Sequence, residues 1–334
     1  MAPYERELRA ALAAAQIAAA LCEAARSDAA GLQETAKVDL SPVTLADYGA
    51  QALICRTLGE AFPRDAIVGE EESSTLQQPQ NAALLRRVHD YVSRFGRTCT
   101  ADDVCRWIAA GSAKPSDRFW TVDPLDGTKG FLRGGQYAIA IALIEGGHPA
   151  VGVLACPALP RVWDEPGAEV GMLYAAVRGQ GAWASLLRGG PRTSVSASSN
   201  NDPAGWRLAQ SWESHHCDAM LQEEAARMVG ITLAPLCLDS QAKYAIVARG
   251  DAALYLRFPS PASPGYRENI WDHAAGALIV TEASGRATDM DGHPLCWTSG
   301  VRLVANRGLV VGSGVAHPSV LQAISALHVQ RSAV

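Results

Sequence analysis

The chain lacks any uninterrupted apolar run approaching the roughly 20 residues that carry a helix across a bilayer, so no membrane partner is expected. It lacks a Cys-x-x-Cys pair and any zinc-type spacing among its cysteines, Cys22, Cys55, Cys99, Cys105, Cys156, Cys217, Cys237 and Cys296. These read as reduced thiols of an intracellular protein, with neither a redox pair nor a zinc centre. A basic stripe is missing too: Lys and Arg are dispersed and the formal net charge is −5, which argues against a nucleic-acid polymer as partner. A small anion remains a fitting ligand, because bound cations can overturn the global sign locally. There is no internal repeat. The opening Met1-Ala2-Pro3-Tyr4-Glu5-Arg6-Glu7-Leu8 has neither a secretory apolar core nor the acid-poor character of a transit peptide, so the cytoplasm is the expected compartment and a monomer the expected state.

At 334 residues the chain is long for one core, and two packed units are expected, 1–190 and 191–334. Leu8, Leu12, Ala15, Ala19 and Cys22 recur at helical spacing, predicting a first helix ending near Gly31. A second begins after Pro42 and is stopped by Pro63. Helical stretches are expected around Leu84 to Phe95 and Ala101 to Ala110. From Arg118 the pattern shortens to apolar runs punctuated by Gly134-Gly135, Gly146-Gly147 and Gly179-Gln180-Gly181, the mark of an antiparallel meander. The Gly189-Gly190-Pro191 break and the Ser/Asn run to Asn201 set the boundary between the units. Beyond it, strands near Arg207 to Trp212, Leu236 to Leu238 and Ala252 to Arg257 alternate with helices near Ala219 to Val229, Gln241 to Arg249 and Asp272 to Ala283, a second α/β layer.

Five acids stand out by context: Asp47, Glu70, Asp123, Asp126 and Asp272. Each has an ordinary explanation when taken alone. Thr44-Leu45-Ala46-Asp47 has the form of a helix capping box, a role that does not exclude chemistry. Glu70-Glu71-Glu72 resembles a solvated surface run, with Glu71 and Glu72 expected to face water. Asp126-Gly127 is a common turn dipeptide, although Pro124 after a strand could aim Asp123 and Asp126 from one side and expose the Leu125 carbonyl. Asp272 is expected to open a helix, where the dipole favours an acid. Together they form an oxygen-rich set suited to hard cations such as Mg²⁺. His215, His216 and Cys217 lack a fourth partner for zinc.

Gly69-Glu70-Glu71, Asp123-Pro124-Leu125-Asp126-Gly127-Thr128 and Trp271-Asp272-His273-Ala274-Ala275-Gly276 resemble the signatures of the lithium-sensitive inositol monophosphatase superfamily. Ser41-Pro42-Val43-Thr44, Lys129-Gly130-Phe131, Asp239-Ser240-Gln241 and Tyr266-Arg267-Glu268 resemble its 3′(2′),5′-bisphosphate nucleotidase branch, as does the long spacer between Glu70 and Asp123. The resemblance implies a layered α-β-α-β-α fold and two to three Mg²⁺ ions. Glu70, Asp123 and the Leu125 carbonyl would hold one ion, and Asp123, Asp126 and Asp272 the second. It further implies that the Asp126, Gly127 and Thr128 amides cradle the scissile phosphate, and that Asp47 and Thr128 activate the attacking water. His215 or His216, Ser240, Lys243 and Arg257 would contact a small nucleotide bisphosphate. The implied reaction is hydrolysis of adenosine 3′,5′-bisphosphate to AMP and phosphate, with the sulfated analogue as a further substrate. An inositol polyphosphate 1-phosphatase, or a non-catalytic sensor of such ligands, would share much of this pattern.

Overall fold

The computed structural model describes residues 2–28, 34–36, 42–96, 98–212 and 217–332. Helix α1 (Glu5–Ser27) carries Glu5 and Glu7 in its first turn and Arg26 in its last, matching the helix dipole at both ends. It ends at Ser27, short of the Gly31 expected to close it, and Gly31 lies outside the described residues. Alanine makes α1 long and apolar enough, on average, to cross a membrane, yet half of its most apolar window is buried inside the protein. Its small side chains, Ala11, Ala14, Ala15 and Ala18, let it lie close against α2 (Leu45–Ala61). A ribbon of β1 (Glu34–Ala36) and β2 (Pro42–Thr44) leads into α2.

Strand β3 (Ala66–Gly69) is followed by α3 (Ala82–Phe95) and α4 (Ala101–Ala109), a crossover that lets β4 (Arg118–Asp126) pair with β3 in parallel. From β4 the expected meander runs antiparallel through β5 (Ala138–Glu145), β6 (His148–Pro160), β7 (Val170–Val177), β8 (Ala182–Leu186) and β9 (Thr193–Ser194). The boundary placed after residue 190 therefore falls inside the β8–β9 hairpin. Gly179-Gln180-Gly181 is a hairpin turn, with both glycines at positive φ (75° and 78°).

Alternation sorts the side chains of this sheet. Trp120, Val122, Ile139, Ile141 and Val153 face α1 to α4. Phe119, Ala140, Ala142, Ile144 and Tyr174 face α7 (Ala242–Ala248) and α8 (Ala274–Glu282). Beyond that helical layer is a five-stranded sheet of β10 (Leu208–Gln210), β11 (Leu236–Cys237), β12 (Leu254–Arg257), β13 (Gly285–Thr288) and β14 (Leu309–Ser313), in the order β11-β10-β12-β14-β13. Ala209, Tyr255 and Val311 point inward to α7 and α8. Leu208, Leu254, Leu256 and Val310 point outward to α6 (Ala219–Val229) and α9 (Ala316–Ser332). The result is the α-β-α-β-α sandwich implied by the sequence motifs. Strands β13 and β14 and helix α9 are additions to the sequence reading, although Leu309-Val310-Val311 is apolar and Ala316, Val320, Ala323, Ile324 and Leu327 are spaced as a helix.

Candidate active site

Strand β4 runs through Asp123 and Pro124 to Asp126. Asp123 pairs with Ala140 and Asp126 with Ala138, so three steps on β4 match two on β5, a bulge that takes up the extra residue. Pro124 sits inside it, where a missing N–H is tolerated. The Leu125 N–H donates to Asp123 Oδ1 at 3.1 Å and the Leu125 carbonyl accepts the Thr128 hydroxyl at 3.3 Å. Gly127 then adopts φ 87° ahead of α5 (Thr128–Leu132), and a Cβ there would lie 3.0 Å from the Ser240 Cβ.

Because β3 and β4 are parallel and in register, with Gly69 beside Val122, Glu70 and Asp123 leave the sheet at the same edge. Gln51 of α2 secures that exit. Its Oε1 accepts the Glu71 N–H at 2.8 Å and its Nε2 donates to the Ile108 carbonyl at 3.2 Å. A Cβ on Gly69 would fall 2.7 Å from the Gln51 Oε1, so the glycine makes room for the amide. Glu71 is buried, contrary to the expected solvent-facing position, because its backbone docks on Gln51; Glu72 is exposed.

Asp47 does cap α2. Its Oδ2 accepts the Thr44 N–H at 2.7 Å and the Thr44 hydroxyl at 2.6 Å. Its Oδ1 accepts the Thr128 hydroxyl at 3.1 Å.

The second half of the chain closes the site. Asp272 does not open a helix: α8 starts at Ala274, and Asp272 lies in the turn before the N-cap residue His273. Ser240 has a left-handed φ of 67°, and Gln241 after it donates its backbone N–H to Asp126 Oδ2 at 2.5 Å. Lys243 is buried, with its ammonium 5.2 Å from the Tyr255 ring centroid and donating to the Leu238 carbonyl. Arg257 Nε donates to Glu268 Oε1 at 2.7 Å. Glu268 Oε2 lies 3.2 Å from His273 Nε2, and His273 Nδ1 lies 2.8 Å from the Tyr244 hydroxyl. Glu70, Asp123, Leu125, Asp126, Gly127, Thr128, Ser240, Lys243, Arg257 and Asp272 all line one cavity of about 480 Å³. Asp47 stands behind it, through Thr128. His215 and His216 lie outside the described residues, while Ser211 nearby lines the cavity. Gln241, Glu268, Tyr266 and His273 also line or brace it; the Tyr266-to-His273 motif contained three of these, but only the packing gives them partners.

The cavity is electrostatically strained. Burial, then Glu70, Asp126 and Asp272, raise the Asp123 carboxyl well above the ordinary range. Burial, then Asp126 and Glu70, do the same to Asp272. Asp126 is pushed up to about 6, chiefly by burial, with Lys243 and the Gln241 N–H working the other way. Burial pulls Lys243 down to about 8 against the attraction of Asp126. Burial also works to raise Glu268, but Arg257 and His273 outweigh it and hold that carboxyl at about 2. Several carboxylates facing one another in dry protein call for cationic charge, and their all-oxygen donor set fits a hard divalent ion.

The chain matches the inositol monophosphatase family over residues 4–328. A rice (Oryza sativa) protein named 3′(2′),5′-bisphosphate nucleotidase is 38% identical over 340 aligned residues, covering 96% of this chain and 94% of its own. Arabidopsis thaliana 3′(2′),5′-bisphosphate nucleotidase 1 is 39% identical, covering 96% of both chains. Among solved structures, an inositol monophosphatase from Thermotoga maritima superposes with a TM-score of 0.66 at 20% identity, covering 96% of each chain. The Bacteroides thetaiotaomicron CysQ, a bacterial member of the same family, gives 0.62 at 20% identity over 94% of this chain and 99% of its own. With the carboxylate-lined cavity in the same layered fold, the chain belongs to the inositol monophosphatase family, in the branch whose members bear the name 3′(2′),5′-bisphosphate nucleotidase.

Proposed function

We propose that the protein is a Mg²⁺-dependent phosphomonoesterase that removes the 3′-phosphate of adenosine 3′,5′-bisphosphate, giving AMP and phosphate, and that it also accepts 3′-phosphoadenylyl sulfate. The observation that carries this reading is the meeting, in one cavity, of the Glu70, Asp123, Asp126 and Asp272 carboxylates with the cationic Lys243 and Arg257, beside a Thr128 hydroxyl held by Asp47. The named relatives support the substrate class.

Glu70, Asp123 and the Leu125 carbonyl would hold one ion, Asp123, Asp126 and Asp272 a second, and the neighbourhood of Glu70 a third. Bound there, Mg²⁺ offsets the charge that develops on the transferring phosphoryl group. The amides of Asp126, Gly127 and Thr128 would receive phosphate oxygens at the turn that the positive φ of Gly127 makes. Asp47, already accepting from Thr128, leaves the Thr128 oxygen lone pairs as acceptor for a water. That water attacks phosphorus as the P–O3′ bond breaks; its proton passes to Thr128 as Thr128 passes its own to Asp47, and the departing 3′-oxygen is protonated from solvent. Lys243 and Arg257 supply positive charge for the rest of the nucleotide, with Ser240 beside them. His215 or His216 would approach the base. The protein would act as a monomer in the cytoplasm.

Phosphate release from adenosine 3′,5′-bisphosphate, run beside inositol 1,4-bisphosphate with Mg²⁺ present and then chelated, tests the proposal. Mg²⁺-dependent preference for the nucleotide is expected. Preference for the inositol bisphosphate would overturn the substrate, and silence on both would overturn catalysis in favour of sensing.

A further inference from the structure

Asp126 and Asp272 reach the cavity from different layers, one from the edge of the seven-stranded sheet and one from the turn before α8. Apolar packing of α8 on the sheet sets their approximate distance, and hydrogen bonds tie the two segments together more finely. Gln241, immediately before α7, lies between them and is 1% exposed. Its backbone N–H donates to Asp126 Oδ2 at 2.5 Å. Its side-chain Nε2 donates to the Trp271 carbonyl at 2.9 Å and its Oε1 accepts the Gly276 N–H at 3.2 Å. Trp271 and Gly276 bracket Asp272 in sequence, so one residue grips both carboxylate-bearing segments.

The backbone is built to allow this grip. Ser240 holds a left-handed φ of 67°, costly for a residue with a side chain, and the reversal is secured by its own Oγ accepting the Ala242 N–H at 3.1 Å. Gly127 lets Ser240 approach to 3.0 Å of where a Cβ would stand, which seats the elbow against the phosphate turn.

We propose that Gln241 is a positioning residue that sets the spacing of Asp126 and Asp272 for cation binding. A primary amide in dry protein holds its partners because an end left unpaired there has lost its water and gained nothing in return. Moving the Asp272 turn away from Asp126 would break both side-chain bonds. The acids are thereby preset at a separation they would otherwise leave by mutual repulsion, and the cation arrives at a formed site.

The inference rests on the cation reading of the proposed function but not on the nucleotide, so its test uses no substrate. Mn²⁺ binding to the whole, substrate-free protein is measured by the loss of the free-ion electron paramagnetic resonance signal. Gln241→Met keeps length and the backbone N–H but removes both side-chain bonds. Weakening of Mn²⁺ affinity by about 10- to 100-fold is expected, the range for residues that orient metal ligands. The Mg²⁺ concentration for half-maximal phosphate release should rise in parallel, with kcat largely recovered at saturating cation. A merely structural amide would instead lower the melting temperature in chelator and leave Mn²⁺ affinity unchanged, which would overturn the proposal. Should the Met variant fail to fold, Gln241→Asn reads the same quantity, since it stays a neutral amide, keeps the backbone N–H, and is one methylene too short to hold both Trp271 and Gly276. Unchanged affinity in that variant would equally overturn it. Absence of Mn²⁺ binding in the unsubstituted protein would sink the cation reading and this inference with it.

Discussion

The Thr128 hydroxyl donates to Asp47 Oδ1 at 3.1 Å across 81 positions of sequence, while Asp47 Oδ2 caps the helix on which Asp47 itself stands. One carboxylate thus divides its two oxygens between architecture and the cavity. The cap fixes the rotamer, so the oxygen that meets Thr128 is aimed before any ligand arrives.

From that division, Thr128→Ala should lower turnover by roughly 10²- to 10⁴-fold, the usual contribution of positioned acid–base groups, while the thermal midpoint stays close to that of the unsubstituted protein. Thr128→Ser should recover most of the loss, because it restores the hydroxyl to Asp47. Steady-state phosphate release and thermal melting of the three proteins check this. Near-normal turnover in the alanine variant would remove Thr128 from the mechanism.

Asp123→Asn should separate stability from function. Asp123 is buried beside Glu70, Asp126 and Asp272, so removing its charge relieves repulsion in the metal-free protein. Its melting temperature in chelator at pH 8 is expected to rise by some degrees, about 2–4 °C per kcal/mol for a chain somewhat smaller than this one. The same variant should lose nearly all activity and the stabilisation that Mg²⁺ confers on the parent. Calorimetric scans with chelator and with Mg²⁺ read both effects.

Chelation should also give the protein a distinctive pH dependence. Asp126 rises in the folded state from 3.8 to about 6, so the folded protein binds protons more tightly than the unfolded chain. A group raised in this way contributes stability that is complete below its unfolded value and fades as pH climbs through the folded one. Metal-free protein should therefore lose stability between about pH 4 and pH 6, and Mg²⁺ should restore it most at the upper end. Melting temperatures across this range would contradict the idea if the chelated and Mg²⁺-loaded curves ran parallel.

Gly276→Ala tests the packing that carries Asp272. A Cβ at Gly276 would stand 2.3 Å from the Tyr244 Cγ, where α7 and α8 cross inside the molecule. Destabilisation by about 1–3 kcal/mol is expected, the usual cost of forcing an extra carbon into a filled core. A change within error in chemical denaturation would mean that Tyr244 and α7 yield freely.

Much of the fold was readable because period and punctuation are local properties. Alanine at helical spacing announces α1, and Gly146-Gly147 and Gly179-Gln180-Gly181 announce turns of the meander. Thr44 and Asp47 form their capping box within four residues of chain. The context of Glu70, Asp123, Asp126 and Asp272 was equally legible as motif, and the fold brings those four to one cavity.

Other features were decided only by tertiary structure, because their partners come from distant segments. Glu71 looks like a surface acid until Gln51, 20 positions away, takes its backbone into the interior. Asp272 looks like the start of a helix, yet the turn before α8 is held open by Gln241 through Trp271 and Gly276. Lys243 and Arg257 could have been solvent charges; burial depresses the first and Glu268 holds the second. Sequence determined which residue types were available and how each segment would coil or extend, since those preferences lie in the chain's own backbone. The separation of the carboxylates and the partner of each buried polar group arise when two sheets and three helical layers close on one another, and no local preference specifies that distance.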